Sequence, residues 1–224
     1  MQSKARSRLI ESKADVDRIL FIHGEVSDTT VGRKFGVGCL NKSAIVLTCA
    51  VWEAYVEDLC EEAVLHLGNH INNSLGLPAA LKSTIGRELA SQQASNPETI
   101  WDALCGDPKT ALLLNFTIVR NKYWSGQPFN TPKWENVDKL YETTLALSNI
   151  SECWNWQHVR FPKNRTRLNG YVVLRGGIAH RNASPSSINK PHCRDFLELV
   201  EHMAEKMDAR VHTYLAGLCS VPFF

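Results

Sequence analysis

Apolar residues recur along most of the chain at the spacing of helices rather than of strands. Residues 3–22 carry Leu9, Ile10, Val16, Ile19 and Leu20 at intervals that predict an amphipathic helix. The loop "HGEVSDTTVGRKFGVG" follows, and then "NKSAIVLTCAVWEAYVEDLCEEAVLHLGN" predicts one helix of about seven turns, with no Pro or Gly before Gly68. Shorter helices are predicted at "PAALKSTIGRELA", "ETIWDALCG", "PKTALLLNFTIVRNKYW" and "KWENVDKLYETTLAL", punctuated by prolines and glycines. "NRTRLNGYVVLRGGIAHRN" comes next, then the loop "ASPSSINKP" and a closing helix, "CRDFLELVEHMAEKMDARVHTYLAGL". No alternating strand pattern with turn signals occurs. "GYVVL" is the one β-branched run, and it reads as a short strand or as a buried helical turn. There are no repeats and no long linker. The pattern predicts a single all-α domain over 1–224, with an N-terminal helix and loop in 1–39 and a core bundle in 40–224.

Two charges break the apolar stripes. On the long helix Val46, Cys49, Glu53, Val56, Cys60, Ala63 and Leu67 share a face, and Glu53 is its only charge. The other acids, Glu57, Asp58, Glu61 and Glu62, fall mostly on different sides. An unpaired buried carboxylate is costly, so Glu53 is expected to have a partner unless the stripe's edge is solvated. The late helix repeats the anomaly with opposite sign. Arg175 is a lone cation among Leu168, Tyr171, Val172, Ile178 and Ala179. The economical inference is a Glu53–Arg175 contact joining the two helices, since a guanidinium can bind a carboxylate and still offer donors elsewhere.

"YVVLRGGIAHRNA" adds a second puzzle, because each glycine inside a helix costs roughly 1 kcal/mol relative to alanine. Either Gly176 and Gly177 admit a close backbone approach, or one of them caps the helix and His180 sits in a loop. On a continuous helix His180 lies about 140° round and ~7.5 Å along from Arg175. That pair cannot share one surface ladder, but it can line a cleft between helices.

Composition sharpens this picture in three ways. The 224 residues are 44% hydrophobic, enough for a sizeable core. Seven scattered cysteines, no two within four positions, argue against a disulfide framework and against paired-cysteine zinc sites. Reduced thiols, an N-terminus without signal-peptide character and the lack of any membrane-length apolar run predict a soluble cytoplasmic protein. Charge is the third point. Residues 153–194 contain eight Lys and Arg and no Asp or Glu, and the whole chain is only +2, so the remainder carries −6. A basic segment attracts phosphates, although such a run is more often a solvated face.

Other motifs are weaker. His66 and His70 have the spacing of helical metal ligands, but no third ligand is identifiable and Gly68 is expected to interrupt the helix, so no metal is assigned. His202, between Glu201 and Glu205, reads as a solvated helix face. Trp52, Trp101, Trp124, Trp134, Trp154 and Trp156 read as core or groove residues rather than a base-stacking platform. No nucleophile elbow, phosphate loop or dinucleotide fingerprint is present.

"LRGGIAHRN" resembles the signature of HEPN-domain proteins, an arginine and a histidine separated by a few residues on a late helix. "AVWEAYVEDL", with its Glu-x-Tyr, is similar to the long acidic and aromatic helix of the RiboL-PSP-type and related HEPN-like nucleases. The resemblance covers most of the chain from about residue 40 onward. It implies an antiparallel all-α bundle of HEPN type with short extra helices, dimerising so that two Arg/His pairs form one composite cleft. It further implies a metal-independent endoribonuclease of toxin–antitoxin, antiviral-defence or RNA-processing systems. RNA would be the substrate, an antitoxin or regulatory protein a possible partner, and no cofactor or membrane is implied. Arg175 and His180 match the motif and Glu53 the helix acid. Gly176, Gly177 and Tyr55 are supporting candidates, and Arg165, Arg167 and Arg181 are RNA-binding candidates. The chain departs from the family where Asn commonly follows the arginine and Gly the histidine: here stand Gly176 and Arg181. Gly176 offers no side-chain hydrogen bond, so a non-catalytic module binding RNA, a nucleotide or a partner protein is the alternative.

The chemistry implied is simple. RNA carries its own nucleophile, the 2′-OH, beside each phosphodiester. Histidine, titrating near ~6.5, can take or give the proton. Arginine can hold two phosphate oxygens. One chain supplies one such histidine, and a symmetric dimer two.

Overall fold

A helix that is apolar round more than half its circumference must sit at the centre of its bundle. The stretch beginning at Gly38 is of that kind. In the computed structural model it forms helix α2, Gly38–His70, roughly 50 Å long, with Ala44, Ile45, Trp52, Tyr55, Val56, Leu59, Cys60, Val64 and Leu67 all buried. The structure describes residues 2–26, 36–71, 74–93, 108–122, 129, 131–156, 159–181 and 188–224, with the backbone alone for 74, 88, 89, 91–93, 108, 121, 122, 180 and 181. The helix expected at 98–106, with Trp101, lies outside these residues, as do Trp124 and most of the two loops at 27–35 and 182–187.

Among the described residues six further helices surround or flank α2: α1 (Lys4–Val26), α3 (Ala79–Gln93), α4 (Pro108–Lys122), α5 (Trp134–Leu145), α6 (Phe161–Arg181) and α7 (Lys190–Ala216). Short 3-10 turns occur at Ser74–Gly76 and Ile150–Cys153. No strand occurs among the described residues, beyond one isolated bridge between Trp156 and Val159. "GYVVL" lies within α6 and is helical. Helix α2 packs against α1, α4, α5, α6 and α7, and buried residues of all of them belong to one continuous core. α1 contributes Ala5, Leu9, Val16 and Leu20 to that core.

Charged and polar groups fix the heights at which the helices meet. At the start of α1, the backbone N–H groups of Lys4 and Ala5 donate to the Glu62 carboxylate at 3.1 and 3.0 Å. Arg6 N–H donates to Ser3 Oγ at 2.9 Å, so the orphan donors of this helix end are answered by α2 and by a local cap. Asn189 caps α7 by accepting from His192 N–H at 3.1 Å. The indole of the buried Trp52 donates to the Pro132 carbonyl at 3.1 Å, and its ring meets Trp154 edge-on at 5.8 Å.

The glycines behave differently from the sequence expectation. Gly68 does not interrupt α2. A Cβ there would lie 2.8 Å from Lys109 Cα, so its absence admits the start of α4. Gly176 and Gly177 lie inside the continuous helix α6, and position 180 is helical too. A Cβ at Gly176 would meet nothing within 4 Å, so the capping and intrachain close-approach explanations both fail there. Gly170, exposed on the same helix, is equally open.

Gly68→Ala is therefore expected to lower stability by roughly 1–3 kcal/mol, because the obstacle is backbone. Gly170→Ala should raise it by about 0.5–1 kcal/mol through helix propensity alone. Thermal denaturation of both variants checks this. A melting temperature unchanged by Gly68→Ala would contradict the close approach of α4.

Candidate functional site

Helices α2 and α6 meet at the two charges that break their apolar stripes. Arg175 Nη2 lies 3.8 Å from Glu53 Oε2, with side-chain exposures of 28% and 22%. The pairing inferred from sequence is present, but it is loose. Glu53 Oε2 is buried and accepts no hydrogen bond. Burial pushes the Glu53 carboxyl up to about 7; Arg175 opposes this and the neighbouring Glu57 adds to it. An ion pair this long does not repay the desolvation of the carboxylate. Cys49, on the same stripe, is buried, and burial holds its thiol protonated.

Apolar positions flank the pair on both helices. A groove of about 380 Å³ runs beside the pair, lined by Ile19, Val46, Leu47, Ala50 and Ile178, with Lys42 and Ser43 at its edge. Ala50 lies about one turn before Glu53, and Ile178 about one turn after Arg175. On α6, Leu168 and Val172 are buried and Tyr171 and Ile178 half-buried, whereas Ala179 is exposed.

Glu57 corrects the sequence reading. It does not fall on a different side of α2, as most of the other acids were expected to. Its side chain is only 20% exposed, and Arg120 Nε of α4 lies 3.4 Å from Oε1. That oxygen too is buried without a hydrogen bond. Burial raises the Glu57 pKa, while Arg120 and the Phe129 backbone N–H oppose the rise. Glu53 and Glu57, one turn apart, thus form one edge of the buried band of α2, each facing an arginine from a different helix. Nothing in the local sequence singled out Arg120, which lies outside the basic segment.

Other candidates are placed elsewhere. Tyr55 is on the far side of α2 from this edge: its hydroxyl donates to the Ala204 carbonyl at 2.7 Å and lies 2.9 Å from Asp208 Oδ1. It ties α2 to α7 and does not support Arg175. Arg165 is held by the Ser151 hydroxyl at 2.8 Å and Asp138 at 3.2 Å, and lies over the rings of Trp134 and Phe161. Arg167 binds Asp195 at 2.7 Å and Asn164 at 3.2 Å. These two candidates for RNA contact are fastened into the fold. His180 and Arg181 end α6, and their side chains lie outside the described set.

The other histidines weighed from the sequence, His66, His70 and His202, have structural partners. His66 and His70 stack at 4.3 Å, with His70 Nδ1–H donating to the His66 carbonyl at 2.9 Å and His66 Nε2–H to Val221 at 3.2 Å. His202 is exposed and stacks on Trp156 at 5.1 Å. Among the described residues no group of three metal-ligating side chains occurs. No described helix is long and apolar enough to cross a membrane.

A family model, RiboL-PSP-HEPN, matches residues 7–212 of the chain. No curated protein and no solved structure gives a match.

The raised Glu53 pKa has a pH consequence. Its folded value of about 7 exceeds the ordinary 4.5, so the native state binds this proton more tightly than the unfolded chain. The linked stability is fully present below the unfolded pKa and is lost as pH rises through about 7. Glu53→Gln removes that loss. Its stability relative to wild type should therefore improve between pH 5 and pH 7.5 in urea denaturation, and a constant difference across that window would show the carboxylate to be well compensated.

Proposed function

The chain belongs to the RiboL-PSP-HEPN family, and from that premise we propose that it is a metal-independent endoribonuclease acting at a composite site between two copies. The observation that carries this reading is Arg175, the lone cation in the apolar stripe of α6, held against the half-buried acid of α2. Arg175 is a fixed cation for a phosphodiester, and Glu53 orients it without a tight fork. His180, on the same helix, supplies the titrating group.

In this mechanism His180 accepts the proton of a ribose 2′-OH. The 2′-oxygen attacks the adjacent phosphorus, Arg175 stabilises the charge on the phosphorane, and the 5′-oxygen leaves with a proton from the partner's His180. The products are a 2′,3′-cyclic phosphate and a 5′-hydroxyl.

Two features support a second copy at this face. Gly176 has open space beside it, despite its cost to the helix. The outward strip of α2 nearby, Ser43, Val46, Ala50 and Ala54, is small and largely apolar. A toxin or antiviral-defence effector, held in check by an antitoxin or regulatory protein, is the setting we assign to such an activity, in the cytoplasm. A non-catalytic module binding RNA, a nucleotide or a protein is the second reading, favoured by one observation: Gly176 places no polar side chain next to Arg175.

Cleavage of a labelled single-stranded RNA in the presence of EDTA separates the two. The enzyme reading expects cleavage with 2′,3′-cyclic phosphate ends, abolished in His180→Ala with fold and RNA affinity nearly intact. Arg175→Ala should lose both cleavage and affinity. Binding without cleavage by the wild type, converted to cleavage by Gly176→Asn, would favour the module. Undiminished cleavage by His180→Ala would sink the assignment.

A further inference from the structure

The row of charge on α2 does not end at Glu53. Glu57 follows one turn later, about 6 Å along the axis, and faces Arg120 from α4 as Glu53 faces Arg175 from α6. The two pairs share three properties. Both are long, at 3.4 and 3.8 Å. In both, the carboxylate oxygen nearest the arginine is buried and accepts no hydrogen bond. In both, the arginine side chain is more exposed than its acid, 40% against 20% for Arg120 and 28% against 22% for Arg175.

Resting on the ribonuclease reading of this site, we propose that Arg120 is a second phosphate-binding residue, engaging the phosphodiester next to the one held at Arg175. The substrate is then a strand laid along α2 with at least two successive phosphates, rather than a mononucleotide or a single terminal phosphate.

Three arguments carry the assignment. The first is availability. Arg120 approaches Glu57 through Nε, so its two terminal amino groups are not the atoms held by that pair. They carry four N–H donors in the fork that matches phosphate oxygens. Arg165 and Arg167, the basic-segment candidates, have no such freedom. The second is placement. One turn of helix separates the two acids, and that is the scale of one nucleotide step in an extended strand. The third is charge. A cleft with two carboxylates repels RNA unless each is neutralised, and Glu57 holds Arg120 at the edge where a phosphate would arrive. Arg120 acts here as a positioning residue for the strand.

The test uses a fluorescent 2′-O-methyl RNA oligonucleotide, which lacks the attacking hydroxyl and cannot be cut by the proposed reaction. Its affinity is measured over a range of salt concentrations for the full-length wild type, Arg120→Gln and Arg120→Lys. Each phosphate contact on a single strand contributes about 0.7 to the slope of log affinity against log salt. Arg120→Gln is expected to lower the slope by about that amount, and Arg120→Lys, which keeps the charge, to restore it. A merely structural Arg120–Glu57 pair would change the melting temperature and leave the slope unmoved. Wild-type binding with an unshifted slope in Arg120→Gln overturns the Arg120 assignment while leaving the ribonuclease reading standing. A wild type that binds no strand at any salt overturns both.

Discussion

Everything in this bundle is arranged round the need to neutralise the acids at the edges of one buried helix. The buried band of α2 covers a little over half of its circumference, and four of its five acids from Glu53 to Glu62 lie along the band's two margins. At one margin Glu53 meets Arg175 of α6, and Glu57 meets Arg120 of α4. At the other, Asp58 meets Arg8 at 2.8 Å, and Glu62 receives the first backbone N–H groups of α1. Glu61, in the middle of the open side, is exposed. Apolar contact tolerates sliding of one helix along another far better than a buried carboxylate tolerates losing its cation. Each acid therefore sets the height of one neighbour, and together they set the registers of α1, α4 and α6 on α2.

This constraint explains what could be read from the sequence. The all-α class and the spans of α1, α2, α5, α6 and α7 follow from the 3.6-residue spacing of apolar positions, which is a local property. The Glu53–Arg175 contact was legible because each charge stands alone in its stripe, so complementarity left one pairing. Glu57 was not legible in that way. It stands among three other acids, and Arg120 sits in an ordinary amphipathic helix, so their meeting depends on how α4 packs. The ion pairs of Arg165 and Arg167 were hidden for the converse reason. Their cationic segment contains no acid, but Asp138 and Asp195 lie outside it in sequence and beside it in space.

Tyr55 and the glycines show the same distinction between local and packed. Two positions after Glu53, Tyr55 projects to another side of α2, into a buried polar cluster. Asp208 there also receives the Ser3 backbone N–H at 3.0 Å and its hydroxyl at 2.8 Å. Burial and the Asp208 carboxylate hold the Tyr55 hydroxyl protonated, so it serves as a fixed donor joining α7 to the central helix. Gly68 is explained by the backbone of α4, which no spacing rule reveals. The chain itself offers no such explanation for Gly176.

The contrast among the arginines bears most directly on function. Arg8 and Arg167 approach their carboxylates at 2.8 and 2.7 Å, and Arg165 adds two aromatic faces to its ion pair. Drawing such a guanidinium toward a ligand breaks charge-assisted hydrogen bonds that the ligand must replace. Arg175 and Arg120 stand at 3.8 and 3.4 Å from acids whose facing oxygens accept nothing. Burial has raised the pKa of both facing acids, which weakens the hold of each carboxylate on its arginine. These two looser arginine pairs lie at one edge of α2, and only one of their arginines, Arg175, comes from the most basic stretch of the sequence.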